Sequence, residues 1–127
     1  YRVIQHSGSD ALTGLVVQGN LRQIYKICEY IQHHFTEKLT VEMLAEQANM
    51  SISAFHKAFK QVTLHSPLQY LKVTRLHKAK QMLQNENQSV AQAAYAVGYQ
   101  SSSQFSREFK KQFGFSPNQT EVNIDKE

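Results

Sequence analysis

The chain has 127 residues, of which 41% are apolar, enough for a modest core in one domain or two very small ones. No apolar run approaches the roughly 18 residues that span a bilayer, and no secretory signal is visible. The single cysteine, Cys28, excludes an internal disulfide framework and fits a reducing compartment. We therefore expect a cytoplasmic protein that makes no membrane contact.

The positive charge is concentrated in one part of the chain. The whole sequence has a formal net charge of +4. Between positions 50 and 111, only Glu86 and Glu108 oppose nine cations, namely Lys57, Lys60, Lys72, Arg75, Lys78, Lys80, Arg107, Lys110 and Lys111. Such a segment suits a polyanionic partner. The solvated surface of helices would give the same pattern without any ligand.

The first third of the chain predicts an irregular segment followed by an amphipathic helix. Segment 1–19 has three glycines and no clear period, which is typical of a linker or the tail of a preceding domain. From Leu21 to Phe35, apolar residues recur every three or four positions, with Asn20 as a possible N-cap. Cys28 falls on this stripe, so we expect it to be buried and to serve packing.

Further helices follow with short connections. Thr40 can cap a second helix ending near Ala48, and either Ser51 or Ser53 can begin a third ending near Val62. Ser66-Pro67 begins a fourth of about 18 residues, with Gln69 completing a capping box. A second capping box at Ser89 opens a fifth helix to Val97, a sixth covers 102–113, and Ser116-Pro117 can begin a short last one. The sequence thus predicts an all-α fold of about seven helices.

Two parts of the chain repeat one pattern. A constant offset of 50 matches Ser51 with Ser101, Ser53 with Ser103, Phe55 with Phe105, Phe59 with Phe109, Lys60 with Lys110, and Ser66-Pro67 with Ser116-Pro117. Before the turn the offset is 49, which matches Ala45 and Asn49 with Ala94 and Gly98. Tightly crossing helices need a small residue and then a residue that tolerates positive φ, and both copies supply them. The pattern predicts two helix-turn-helix units, at 20–65 and 85–127, joined by a linking helix at 66–84.

The second helix of each unit has one apolar and one polar face. Phe55 and Phe59 lie one turn apart, and Lys57 points away from them with Ser53 and Lys60 on either side. The second copy has Phe105 and Phe109 on one face. Its opposite face has Arg107 flanked by Ser103 and Lys110. A cation among short polar side chains suits insertion into a DNA major groove.

Residues 21–117, roughly three quarters of the chain, resemble the DNA-binding domain of AraC/XylS-type transcription regulators. The most specific stretches are 50–60, 66–70, 75–83 and 94–117, the last including Phe105-Ser-Arg-Glu-Phe-Lys-Lys and Phe113-Gly-Phe-Ser-Pro117. One departure is clear, because the family follows its last proline with Tyr-Arg or Phe-Arg and this chain has Asn118-Gln-Thr-Glu121.

The resemblance implies an activator that inserts helices of about 53–62 and 102–113 into successive major grooves of double-stranded DNA. The base-reading residues are then Ser53, His56, Lys57, Ser103, Gln104, Ser106 and Arg107, and the phosphate contacts Lys60, Lys110 and Lys111. It also implies RNA polymerase as a partner, a separate N-terminal effector and dimerisation domain, and association with the nucleoid.

Several of these residues have a purely structural alternative. His56 could be an ordinary surface residue, and Arg107 could pair with an acid on a neighbouring helix. For Arg75, beside the apolar stripe of the linking helix, we expect a structural ion pair rather than a DNA contact. We expect Tyr95 and Tyr99 to pack around the second turn.

Catalysis finds no support in the sequence. His33-His34 has no partner at metal-binding spacing, and there is no glycine-rich phosphate loop. We expect no catalytic residues, no metal and no cofactor. The remaining alternative is a helical protein-protein interaction module whose basic face binds an acidic protein, which leaves the pairing of cations with serines unexplained.

Overall fold

The computed structural model describes residues 8–118, and within that range the chain is all-helical, as predicted. Its helices are α1 (Gly8–His34), α2 (Val41–Gln47), α3 (Ile52–Thr63), α4 (Pro67–Asn85), α5 (Val90–Ala96) and α6 (Ser102–Phe113). Of the last predicted helix, Pro117 and Asn118 are helical, and the part from Gln119 onward lies outside the described residues.

The first helix is longer than the sequence led us to expect. It has 27 residues and begins at Gly8, so Asn20 lies inside it and the predicted N-cap at Asn20 is wrong. Cys28 is only partly buried, and the neighbouring Ile27 takes the buried position between Ile24 and Ile31. The glycines of this segment lower helix propensity by about 1 kcal/mol each but do not end a helix that no proline interrupts.

The other five helices begin where a hydroxyl side chain caps them. Thr40, Ser51, Ser66, Ser89 and Ser101 each accept a hydrogen bond from the backbone N–H three residues later, at 3.1–3.2 Å. Such a bond satisfies one of the N–H groups that the first turn of a helix leaves unpaired. Ser51, and not Ser53, is therefore the N-cap residue of α3. At Ser89 the capping box is complete, because the Gln92 side chain accepts from the Ser89 backbone N–H at 2.9 Å.

Two apolar cores hold the helices together, and α4 contributes to both. The first is centred on Phe55 and Phe59 and includes Leu71 at the start of α4. The second is centred on Phe105 and Phe109 and includes Leu76, Ala79 and Leu83 farther along the same helix. All four phenylalanines are fully buried. The linking helix thus packs against both helix-turn-helix units and holds them together.

The turn of each unit has the conformation that the repeat predicts. Asn49 has φ of 59° and Gly98 has φ of 105°. In both turns, the residue after the one with positive φ donates its backbone N–H to the carbonyl oxygen of the small residue on the preceding helix. These bonds run from Met50 to Ala45 and from Tyr99 to Ala94, both at 3.0 Å. Ala45 and Ala94 are buried at the crossing.

The two tyrosines beside the second turn behave differently. Tyr99 is buried and packs edge-on against Phe105 at 5.3 Å between ring centroids, as expected. Tyr95 is 56% exposed, so the expectation that it packs around the turn is wrong. It points outward from α5, whose buried side is formed by the alanines at positions 93 and 94.

Candidate nucleic-acid interface

The outward faces of α3 and α6 present the polar side chains that the sequence singled out. On α3, Ser53, His56, Lys57 and Lys60 are exposed opposite the buried phenylalanines. On α6, Ser103, Gln104, Arg107, Lys110 and Lys111 are exposed, whereas Ser106 is half-buried. The two helices have the same length of 12 residues and the same N-cap, so the two polar faces are built alike.

The cations of the basic segment fall into two groups. Those of the linking helix have partners within the protein: Lys72 pairs with Glu108, Lys78 lies over the Phe35 ring, and Lys80 lies over the Phe113 ring at 4.7 Å. In contrast, Lys57, Lys60, Arg107, Lys110 and Lys111 have no ion pair, hydrogen-bonded side chain or aromatic partner among residues 20–118. Within the basic segment 50–111, the charge that is free to meet a polyanion therefore lies on α3 and α6.

The structural alternative for Arg107, an ion pair with a neighbouring acid, is not formed within the described residues. The ion pairs there are His34 with Glu37 and Lys72 with Glu108. An unpaired, exposed guanidinium keeps the fork of donors that binds a guanine edge or a phosphate in two places.

Arg75 is structural, as expected, but it does not form the predicted ion pair. Its Nε donates to the carbonyl oxygen of Phe35 at 2.6 Å and its Nη2 donates to that of Glu37 at 2.8 Å. These carbonyls follow the end of α1, so Arg75 fastens the linking helix to the first unit. Its guanidinium also passes against the second turn, because a Cβ added at Gly98 would lie 3.3 Å from Arg75 Cζ.

A carboxylate on α6 organises the side of the helix that faces the linking helix. Glu108 Oε1 accepts from Tyr99 Oη at 2.6 Å, and Oε2 accepts from Gln104 Nε2 at 3.2 Å and lies 3.6 Å from Lys72 Nζ. Burial alone would raise the pKa of Glu108, but the hydrogen bonds from Tyr99 and Gln104 and the charge of Lys72 together lower it. Burial and the same carboxylate raise the pKa of Tyr99, so the phenol keeps its proton as the donor.

The sequence reasoning missed this cluster around Glu108. The repeat contained a signal for it, because the offset of 50 matches Glu108 with Ala58, which is buried in the first core. An acid at a position equivalent to a buried alanine needs hydrogen-bond donors nearby. Among residues 20–118 no group of three His, Cys, Asp or Glu side chains is arranged to hold a metal ion. No helix in the described range is long and apolar enough to cross a membrane.

Comparisons with known proteins agree with this architecture. A family described as a helix-turn-helix domain matches residues 44–122. The transcriptional activator RhaS of Salmonella schwarzengrund is 34% identical over 98 residues, which are 77% of this chain and 35% of RhaS. The chain thus spans about a third of the length of the curated relatives that it matches.

Solved structures of two regulators superpose on the chain. The C-terminal domain of AraT, a response regulator from Geobacillus stearothermophilus, is 33% identical with a TM-score of 0.74, over 80% of this chain and 84% of that domain. The DNA-binding domain of AdpA, solved in complex with a target DNA, is 29% identical with a TM-score of 0.74, over 79% and 90%. With its duplicated units and shared linking helix, the chain belongs to the AraC/XylS-type family of transcription regulators.

Proposed function

We propose that this chain binds double-stranded DNA in a sequence-specific manner, with α3 and α6 in successive major grooves. The observation that carries the proposal is the pair of matched outward faces, whose five cations have no partner within residues 20–118. An α-helix fits the major groove, and lysine and arginine gain free energy there by releasing counterions from the phosphates.

The linking helix has a length that suits this arrangement. Its 19 residues extend about 28 Å at 1.5 Å per residue. Successive major-groove segments on one side of a duplex are about 34 Å apart. Because α4 contributes to both apolar cores, it can hold the two recognition helices at a fixed separation of this order.

We assign base reading to Ser53, His56 and Lys57 on α3 and to Ser103, Gln104, Ser106 and Arg107 on α6. Arg107 is expected to discriminate most, because a guanidinium can bond both O6 and N7 of a guanine. Ser106 is half-buried and has the smallest exposed share of the set on α6. We assign phosphate contacts to Lys60, Lys110 and Lys111, which fix the register of the protein on DNA without reading sequence.

The wider setting follows from family membership. We infer that segment 1–19, which from Gly8 onward is the first part of α1, connects to an N-terminal effector and dimerisation domain, and that 20–65, 66–84 and 85–127 are the first unit, the linking helix and the second unit. We also infer that the protein acts in the cytoplasm at the nucleoid, activates transcription through RNA polymerase, and binds without performing catalysis.

Competition binding tests the central proposal. A preferred duplex is first selected from a random pool, and its affinity is measured by fluorescence anisotropy from 50 to 300 mM salt with scrambled duplex or heparin as competitor. Sequence-specific binding predicts that the selected duplex stays bound at competitor concentrations that remove the scrambled one. Equal displacement of both duplexes would instead indicate a surface that binds any polyanion, as an interaction module with a basic face would.

A further inference from the structure

The first turn of α6 carries a side chain whose two ends differ in chemistry. Gln104 is exposed there, and its backbone N–H is fixed by the Ser101 cap at 3.2 Å. Its carboxamide has a donor nitrogen at one end and an acceptor oxygen at the other. The end that faces DNA decides which bases it can read, because adenine and cytosine show an amino group in the major groove where guanine and thymine show a carbonyl oxygen.

Within the protein, Glu108 determines that orientation. A deprotonated carboxylate only accepts hydrogen bonds, so the carboxamide of Gln104 must turn its nitrogen toward it, at 3.2 Å from Nε2 to Oε2. The carboxylate is itself held on three sides, by Tyr99 Oη at 2.6 Å, by Gln104, and by Lys72 Nζ at 3.6 Å. Tyr99 is buried against Phe105, which anchors the cluster to the second core.

We propose that Glu108 is a positioning residue that sets the base preference of Gln104, leaving its amide oxygen to accept from the amino group of adenine or cytosine. This inference rests on the proposed function, since it concerns how α6 reads the groove. The second N–H of the Gln104 amide remains available and can donate to adenine N7, so adenine is the preferred base. Glu108 itself touches no DNA in this arrangement.

The tests begin with the identity of the base. Binding sites are selected from a random duplex pool with the unaltered chain and with Gln104→Ala, and the position that loses its preference is the one that Gln104 reads. We expect adenine or cytosine there, favoured about tenfold over guanine or thymine. A guanine or thymine at that position would overturn the proposal. So would a Gln104→Ala variant that selects the same site as the unaltered chain, although DNA binding itself would then stand.

The role of Glu108 is tested by a matched pair of variants. Glu108→Ala frees the carboxamide to turn either way, so the preference at that one position should fall below about twofold while the other positions keep theirs. Glu108→Gln should retain the preference, because its amide oxygen can accept from both Gln104 and Lys72, and the Tyr99 hydroxyl can either donate or accept. Circular dichroism of both variants checks that they are folded.

The possible outcomes distinguish a failure of the proposed role of Glu108 from a failure of the proposed DNA-binding function. If Glu108→Ala keeps the preference, Glu108 does not position Gln104 and the proposal falls. If both variants lose selectivity at every position, Glu108 is a general support of α6 and the proposal also falls. If the unaltered chain selects no sequence, the proposed function fails and this inference fails with it. Should Glu108→Ala not fold, a guanine or thymine at the position that Gln104 reads in the unaltered chain would still overturn the proposal.

Discussion

The two helix-turn-helix units share one construction but are held in different ways. Each has a hydroxyl cap, a buried phenylalanine pair and a turn residue with positive φ. In the first unit that turn residue, Asn49, is exposed. In the second unit, Gly98 lies under the Arg75 guanidinium, and Tyr99 next to it binds Glu108 on the recognition helix.

The difference shows that two copies of one sequence pattern make different contacts where they pack against the linking helix. Arg75 joins the linking helix to the first unit through the carbonyls of Phe35 and Glu37, and it fills the space above the second turn. Lys72 joins the same helix to Glu108 on α6. The linking helix therefore has polar contacts with both units, but only in the second unit do they surround the turn and reach α6, so substitution at the turn of the second unit should affect stability more than at the exposed turn of the first.

Arg75→Ala is expected to have the largest effect on stability. It removes two hydrogen bonds from a charged donor and leaves the carbonyls of Phe35 and Glu37 without their partner. We expect a loss of about 2–4 kcal/mol in the free energy of unfolding, measured by urea denaturation. Arg75→Lys is the control, and it should recover only part of the loss because an ammonium lacks the planar fork. A loss near zero would mean that the two units do not depend on this junction.

Substitution at the two turns compares the units directly. Gly98→Ala should cost about 2–3 kcal/mol, because φ is 105° and the new Cβ would lie 3.3 Å from Arg75 Cζ and from the Thr36 carbonyl oxygen. Asn49→Ala should cost about 1 kcal/mol, since only the left-handed backbone at φ of 59° is affected. Both are measured by urea denaturation. Equal losses would remove the proposed asymmetry of the turns.

Two substitutions on α6 separate base reading from phosphate binding. Arg107→Ala should weaken binding to the preferred duplex by about 1–3 kcal/mol and relax selectivity at one or two base pairs. Lys110→Ala should weaken binding to all sequences about equally and lower the slope of log affinity against log salt by roughly one unit. Anisotropy titrations on preferred and scrambled duplexes measure both. The same loss for both variants on both duplexes would make α6 a non-specific clamp.

The ends of the recognition helices offer the smallest expected effect. The C-cap residue after α3 is Leu64, with φ of 66° and 80% exposure, whereas the C-cap residue after α6 is Gly114, with φ of 86°. Leu64→Gly should stabilise the protein by about 0.5–1 kcal/mol, because it relieves a left-handed backbone and gives up little buried surface. Gly114→Ala should destabilise it by a similar amount, although nothing lies within 4 Å of the added Cβ. Thermal unfolding measures both. A destabilising Leu64→Gly would show that the Leu64 side chain makes a contact that stabilises the folded protein.

The sequence predicted the helices whose ends are defined locally. Thr40, Ser89 and Ser101 cap α2, α5 and α6 through bonds to residues three positions away, and apolar spacing identified the four core phenylalanines. The start of α1 is not evident from the sequence, because the three glycines of segment 1–19 lower helix propensity without ending the helix.

Two other contacts could not be predicted from local spacing, because they depend on how separate elements pack against one another. Arg75 bonds carbonyls 38 and 40 positions away, and nothing in the local pattern names an oxygen as its partner. The hydrogen bond from Tyr99 to Glu108 joins the connection between α5 and α6 to a residue near the middle of α6, and it depends on how these two helices cross. Of the site residues, the sequence predicted the exposed faces of α3 and α6; the bond from Gln104 to Glu108 joins residues four apart on α6, a helical spacing that permits it but does not by itself show that it forms.

Hydroxyl-radical footprinting of the chain on its selected duplex tests most directly whether both units bind DNA. Arg107→Ala and Lys57→Ala serve as matched variants of the two recognition helices. We predict two protected segments about one helical turn, or 34 Å, apart on one side of the duplex, with one protein molecule bound. Each variant should weaken the segment of its own helix first. A single protected segment, with no protection one turn away, would contradict the account.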